Sequence, residues 1–338
     1  MKRNERVSMK HGAGGRAMRD LIERVFIAGA KAIPGVVGLA EMDDGAAIPM
    51  GDGFLVVTTD SHVVVPRFFP GGDIGRLAIC GTVNDLAMMG ATEPLALTCA
   101  AIIEEGFPFE ELERIQRSMR QACDEAGCSV LTGDTKVMGK GEIDGVVLNT
   151  TGVAFTRTLV RDNGMKAGDR IIVTGPIADH GFAVLVARND LKLEGDLRSD
   201  VAPLNELVRM ILKRGGVTAM KDPTRGGVSS AIHEMASKSG VGVVLDEQAI
   251  PLRDEVRAAA EVLGIDPLHV ANEGKALLGV RADAVDAVLD ALRSHPLGRE
   301  AAVIGTCTQS HPGRIRLHTG VGERLLAEPD GEPLPRIC

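Results

Sequence analysis

The stretch "GGDIGRLAICGTVNDLAMMG" (71–90) decides how the N-terminal half is read. Gly-Gly-Asp opens it, Ile74, Leu77 and Ala78 begin an apolar face, and Gly90 closes it, which together mark a helix. Upstream, "FLVVTTD" (54–60) is a short apolar run ending in polar residues, as in a buried strand. Downstream, "PLALTCAAII" (94–103) reads as another strand. "PFEELERIQRSMRQACDEAG" (108–127) is an amphipathic helix, with proline near its start, acidic first turns and Gly127 at its end. "SVLTGDTKV" (129–137) and "GVVLNTTGVAF" (145–155) are two more strands. The expectation is a β-α-β-β-α-β-like order in an α+β domain of ferredoxin-like kind.

The polar segment "RTLVRDNGMKAGDR" (157–170) marks a boundary. Beyond it the pattern becomes a second α/β domain, with helices near 177–189, 203–215, 226–240, 252–263 and 282–294 and strands near 276–281, 302–308 and 314–319. The last segment, "LAEPDGEPLPRIC", has no period and three prolines. It is expected to be a flexible tail. The division is therefore 1–157, 158–325 and a tail over 326–338 ending in Cys338.

The 338 residues carry a net charge of −8, and aromatics make up 2% with no Trp or Tyr. The core must be built from small aliphatic side chains. The acidic balance argues against a nucleic-acid partner held by phosphate neutralisation. No run is long and apolar enough for a membrane span or a signal peptide, so the expected location is cytoplasmic. The first five of six cysteines are expected to be buried, reduced thiols, and "CDEAGC" (123–128) lacks the second pair a zinc site needs.

No P-loop pattern and no G-x-G-x-x-G after a strand is present. The chain offers acidic clusters at strand and turn ends instead: "EMDDGA" (Asp43, Asp44), "TTDS" (Asp60), "TVNDLA" (Asn84, Asp85), "LTGDTK" (Asp134, Thr135, Lys136) and "KDPTRGG" (Asp222, Thr224, Arg225, Gly226). Such oxygen donors suit a hard cation that also takes phosphate oxygens. Each alone is equally a turn or a helix cap. "HGAGGR" (11–16) would let backbone N–H groups approach a phosphate, although its composition reads as an unstructured terminus. In "HVANEGKA" (269–276), Asn272 and Glu273 precede a strand, and Glu273 is either a turn residue or a general base. His180 in "ADHGFAV" reads as a helix-start residue.

In combination and order, "HGAGG", "TTDS", "FFPGGDIGRLAICGTVNDLAMMGA", "GDTKV", "DPTRGG", "ANEGK" and "LPRIC" resemble the HypE family of hydrogenase-maturation carbamoyl dehydratases. The wider likeness is to the ATP-binding group of aminoimidazole-ribonucleotide synthetase and selenophosphate synthetase. The resemblance implies an ATP site, with Asp43, Asp44, Asn84, Asp134, Thr135, Lys136, Thr224, Arg225, Gly226 and Asn272 among its residues and Asp44, Asp60, Asp85 and Asp222 on Mg²⁺. It implies that Cys338 receives a carbamoyl group from HypF and that the S-carboxamide is dehydrated to a thiocyanate. Lys136 and Glu273 would act on the reacting group. The cyanide would then pass to the HypC–HypD complex for the iron of [NiFe]-hydrogenase. A homodimer is implied as well. Ala178 departs from the pattern, where glycine is expected. A kinase or synthetase of the same superfamily, or a non-catalytic scaffold, are the other readings. A free-substrate enzyme has no use for a terminal thiol, whereas a tethered substrate reaches a high effective concentration in the site.

Overall fold

The computed structural model describes residues 6–191, 195–329 and 337–338. Pro333 and Pro335, expected to limit how the tail bends, lie outside that range.

The N-terminal domain begins with helix α1 (Gly15–Leu21), which runs into a π-helical turn, Ile22–Ile27. Strands β1 (Ala46–Met50) and β2 (Gly53–His62) form a hairpin. Two short strands, β3 (Phe68–Phe69) and β4 (Gly72–Asp73), lead to helix α2 (Ile74–Met88). Then come β5 (Pro94–Glu104), α3 (Phe109–Ala126), β6 (Val130–Met138) and β7 (Val146–Thr156). The main sheet has the order β1-β2-β7-β5-β6. The α+β class and the two-domain layout are as expected, and the elements fall in the order in which their runs were read, strand, helix, strand, helix, strand, strand, which the label β-α-β-β-α-β does not describe. Helix α3 lies between β5 and β6, which pair in parallel, and β7 inserts antiparallel between β2 and β5. Parallel neighbours require a crossover of this length, which α3 supplies.

Helix α2 is the spine of this domain. The Asp73 side chain caps it, accepting from Gly75 N (2.8 Å) and Arg76 N (3.0 Å). Most of its length is buried, including Leu77, Ile79, Val83 and Leu86. This is why a clean amphipathic period is absent. One face of the sheet lies on α2 and α3. Among the described residues no helix packs on the opposite face, and β7 alternates buried and half-exposed residues accordingly.

The C-terminal domain contains β8 (Arg170–Val173), α4 (Asp179–Arg188), α5 (Asn205–Leu212), β9 (Val217–Lys221), α6 (Gly227–Ser239), β10 (Gly242–Asp246), α7 (Asp254–Leu263), β11 (Leu277–Val280), α8 (Val285–Arg293), β12 (Ala302–Thr308), β13 (Ile315–Thr319) and β14 (Gly322–Leu325). The sheet order is β14-β13-β10-β12-β8-β11-β9. Helices cover both faces. Ile171 and Val173 enter one core with Phe182 and Ile232, while Ile172 enters another with Leu207 and Leu292. Strands buried on both sides read as continuous apolar runs, which explains why they were legible. Strands β9 and β14 were not. Both are short, and β14 is exposed along its whole length.

The two domains meet along α2. Arg76 Nε donates to Val201 O at 3.0 Å, and Asn205 Nδ2 donates to Ala126 O at 2.9 Å. No described helix is long and apolar enough to cross a membrane. None of the six cysteines is in a disulfide; Cys80, Cys123 and Cys307 are buried, and Cys99 and Cys128 are half-buried.

Candidate active site

A cavity of about 630 Å³ lies at the seam between the domains. Strand β2 delivers Asp60 to its wall, and α2 delivers Asp85. The approach depends on Gly81, because a Cβ there would stand 2.9 Å from His62 Nε2 and 3.3 Å from Asp60 Oδ2. The turn before β1 supplies Asp43 and Asp44, and the end of β9 supplies Lys221 and Asp222. Thr224 and Arg225 follow in the turn that starts α6.

The "HGAGGR" loop is ordered, contrary to its composition. Gly14 and Gly15 line the cavity, and Gly15 N donates to Ser230 Oγ at 3.1 Å. Gly14 has φ of +80°, and a Cβ on it would come within 2.6 Å of Arg225 O. Contacts more than 200 residues away in sequence order this loop, which local composition does not register.

The carboxylates crowd one another. Thr58 Oγ1 lies 2.8 Å from Asp85 Oδ2 and 3.0 Å from the backbone carbonyl of Asp44, linking the Asp85 carboxyl to the turn that carries Asp44. Burial pushes Asp85 well above the usual carboxylate range, and the neighbouring charges of Asp222, Asp60 and Asp44 push it further. Burial likewise raises Asp222 to about 6, with Lys221 opposing and Asp60 adding. Asp60 differs. Burial works against its ionisation, but the imidazole of His62, 3.1 Å away, and Arg225 outweigh it and hold the carboxyl down at about 2.

Lys221 is the counter-charge that the motif reading missed. Its Nζ lies 2.5 Å from Asp44 Oδ1, 3.5 Å from Glu234 Oε2 and 3.8 Å from Asp162 Oδ2. Burial disfavours its charge, but these three carboxylates hold its pKa well above the ordinary value. Lys238 continues the belt, donating to Asp162 Oδ2 and Met42 O, both at 2.5 Å. Arg161 binds Asp43 at 3.0 Å. Lys221 adjoins Asp222 in "MKDPTRGG", which was the available signal; Asp162 sat in a segment that reads as a linker.

Glu273 projects into the same cavity from the loop before β11. It is 4% exposed, and its Oε1 has no hydrogen-bond partner. Its backbone is clamped: Glu273 N donates to Asp200 Oδ1 (3.1 Å), and Asn84 Nδ2 donates to Glu273 O (3.2 Å). Burial, reinforced by Asp222, Asp60 and Asp200, raises its carboxyl well above the usual range. Cys338 lines the cavity as well. The described end of the tail is docked: Val63 N donates to Cys338 O at 3.1 Å, and Ile337 is 1% exposed within the C-terminal core.

Several expected ligands lie elsewhere. The Asn84 amide is used up by the backbone of Ala202, Leu204 and Glu273. The Asn272 amide is used up by Ala178, Pro223 and Val270. Both position loops and do not line the cavity. Gly226 starts α6 with φ of +79°, behind the lining residues. Asp134, Thr135 and Lys136 stand exposed on β6, outside the cavity. In sheet order β6 is three strands from β2, about 14 Å. Through the pairs Ser61–Asn149, Asn149–Ala100 and Ala100–Asp134, register puts Asp134 and Lys136 on the helix-free face, opposite Asp60. Among the described residues, no group of three His, Cys, Asp or Glu is arranged to hold a metal ion as it stands.

This architecture matches known proteins along its length. The models for AIR synthase related protein, N-terminal domain and C-terminal domain, match residues 42–156 and 166–318. Carbamoyl dehydratase HypE of Rhizobium leguminosarum bv. viciae is 46% identical over 340 residues, covering 99% of this chain and 96% of its own. A HypE–HypF complex has a chain that matches with a TM-score of 0.85 and 41% identity, over 91% of this chain and 99% of that one. HypE in complex with ATP matches with a TM-score of 0.82 and 37% identity, over 98% of this chain and 100% of that one. The chain therefore belongs to the HypE family, within the AIR synthase related proteins.

Proposed function

We propose that this chain dehydrates an S-carboxamide on Cys338 to a thiocyanate, consuming ATP. The observation that carries this reading is the shared cavity, which brings Cys338, Glu273 and the buried carboxylates together. Relatives named for the same activity, and a relative solved with ATP, support it.

An amide oxygen leaves badly as hydroxide. Transfer of the ATP γ-phosphoryl group to that oxygen, with loss of one nitrogen proton, gives an O-phosphorylated imidate. Breaking the C–O bond then releases phosphate, and loss of the second nitrogen proton completes the nitrile. Glu273 is the proposed base; a raised carboxyl pKa brings its proton affinity closer to the working pH. In this reading Gly14 of the "HGAGG" loop and the Thr224–Arg225 turn, which line the cavity, lie against the phosphates.

The donor set fits Mg²⁺: buried oxygens predominate, and Asp44 Oδ2 has no partner in the fold. The spread of the carboxylates fits an ion that takes one or two of them and completes its shell on phosphate. One or two of Asp44, Asp60, Asp85 and Asp222 would hold the ion, and it would neutralise triphosphate charge.

In this reading HypF, with which a relative has been solved, delivers the carbamoyl group, HypC–HypD accepts the cyanide, and the reaction is cytoplasmic. The helix-free sheet face favours a homodimer. Ile48, Leu55 and Phe155 form one cross-strand row on it, Val57 and Val153 another. A second copy on that face would enclose Asp134 and Lys136, and analytical ultracentrifugation tests the assembly. The reaction itself is tested by the mass of the C-terminal peptide after incubation with a carbamoyl donor, HypF and ATP. Gain of a carboxamide followed by ATP-dependent loss of water supports the reading. A carboxamide that persists with ATP overturns it.

A further inference from the structure

We propose that His180 is the latch of the C-terminal arm, a positioning residue that holds the Ile337 carbonyl and thereby sets Cys338 in the cavity. The inference rests on the reading of Cys338 as the reacting thiol only for its catalytic consequence.

His180 lies in the first turn of α4 and is fully buried. Its Nε2 is 2.9 Å from Ile337 O, and its Nδ1 is 2.8 Å from Ser199 Oγ. A carbonyl oxygen only accepts, so Nε2 carries the proton. Val201 N–H already donates to Ser199 Oγ at 3.1 Å, which leaves the Ser199 hydroxyl proton for Nδ1. Ser199 thus selects the tautomer that can grip the arm. The Phe69 and His180 rings pack edge to face, with centroids 5.3 Å apart and planes at 87°, fixing the plane of the imidazole. Burial lowers the pKa of the imidazole, with Asp200 opposing, so the ring stays neutral.

The grip has two ends. His180 belongs to the C-terminal domain and Val63, which binds Cys338 O, to the N-terminal domain. Ile337 packs into the C-terminal core, and Cys338 packs against the N-terminal core. The arm bridges the seam where the cavity opens. Presenting the thiol to another protein therefore requires release of the His180 bond.

The test uses the full chain and iodoacetamide, with peptide mass spectrometry following Cys338, Cys99 and Cys128 separately. In His180→Leu, Cys338 is expected to alkylate roughly tenfold faster, the equivalent of about one hydrogen bond. Cys99 and Cys128, the other half-buried thiols, should keep their wild-type rates. His180→Gln retains an N–H donor and should recover most of the protection. Ser199→Ala should give a smaller, Cys338-specific rise, and it carries the test if His180→Leu does not fold. Unchanged Cys338 rates in the folded variants, or equal acceleration of all three thiols, overturn the proposal. Conversion of carbamoylated protein is a separate readout: faster alkylation of Cys338 with unaltered conversion would count against Cys338 as the reacting thiol while leaving the latch standing.

Discussion

Lys221 and Asp44 form a buried ion pair, Nζ to Oδ1 2.5 Å, at the wall of the cavity. The lysine also faces Asp162 and Glu234. It is the counter-ion that allows so many carboxylates to be buried together.

Lys221→Met should destabilise the protein by about 3–5 kcal/mol, because it strands buried carboxylates without a partner. The lysine's folded pKa lies above its ordinary value of 10.5, so its contribution is present throughout the neutral range and is lost only as pH rises through that folded value. With Lys221 present, Asp44 is raised to about 7 and Asp162 to about 6; without the lysine that lowers both, they should take up protons at still higher pH, so acidification should narrow the deficit of the variant. Urea titrations of both proteins across pH 5–8, a window of about three units around those values, test this.

Asp85→Asn should show a trade of stability against activity. The folded pKa of Asp85 lies well above 3.8, so holding it ionised in the fold is unfavourable. That penalty is absent at pH values below the unfolded pKa and grows as pH rises toward the folded one. The variant should therefore be more stable at neutral pH, by at least about 1 kcal/mol, and gain nothing in acid. ATP turnover should fall about 100-fold, comparable to losing one preorganised electrostatic group. Undiminished turnover at saturating Mg²⁺ would remove Asp85 from the proposed ligands.

Ala178 is the position where glycine was expected, and it has φ of +72°, the left-handed region. The conformation is enforced, since Ala178 N donates to Asn272 Oδ1 at 2.7 Å at the start of α4. Ala178→Gly should raise stability by up to about 1 kcal/mol by relieving the Cβ clash, less the added freedom of the unfolded chain. A melting temperature at or below wild type would show that the entropy term wins.

What was legible followed from local chemistry. Helices α3 and α6 announce themselves through period and a left-handed terminal glycine, Gly127 and Gly240. Asp43, Asp44, Asp60, Asp85, Asp222 and Glu273 were recognisable as motif residues, and they do meet in one cavity. Asn84 and Asn272 share those motifs yet satisfy backbone groups, a difference that only side-chain direction decides. Lys136 does not reach the cavity of its own chain because strand register, not sequence proximity, selects the face it occupies. The Lys221–Asp44 pair and the His180–Ile337 bond each join residues more than 150 positions apart, so no local pattern reports them.

Glu273→Gln provides the sharpest separation of binding from chemistry. The glutamine keeps the shape of the side chain, and the Asn84 and Asp200 clamps on the backbone are untouched. ATP affinity should stay within about threefold of wild type, the range expected for a residue outside the phosphate contacts. Carbamoylated protein should accumulate and lose water far more slowly than wild type, because the proposed base for the nitrogen protons is gone. The pH profile adds an independent check. With its folded pKa well above 4.5, Glu273 is a competent base only as pH rises toward and past that value. Single-turnover conversion in wild type should therefore climb with pH, and the residual rate in the variant should lack that limb. A variant that converts the carboxamide at the wild-type rate, with the same rising limb, would show that another group removes the protons.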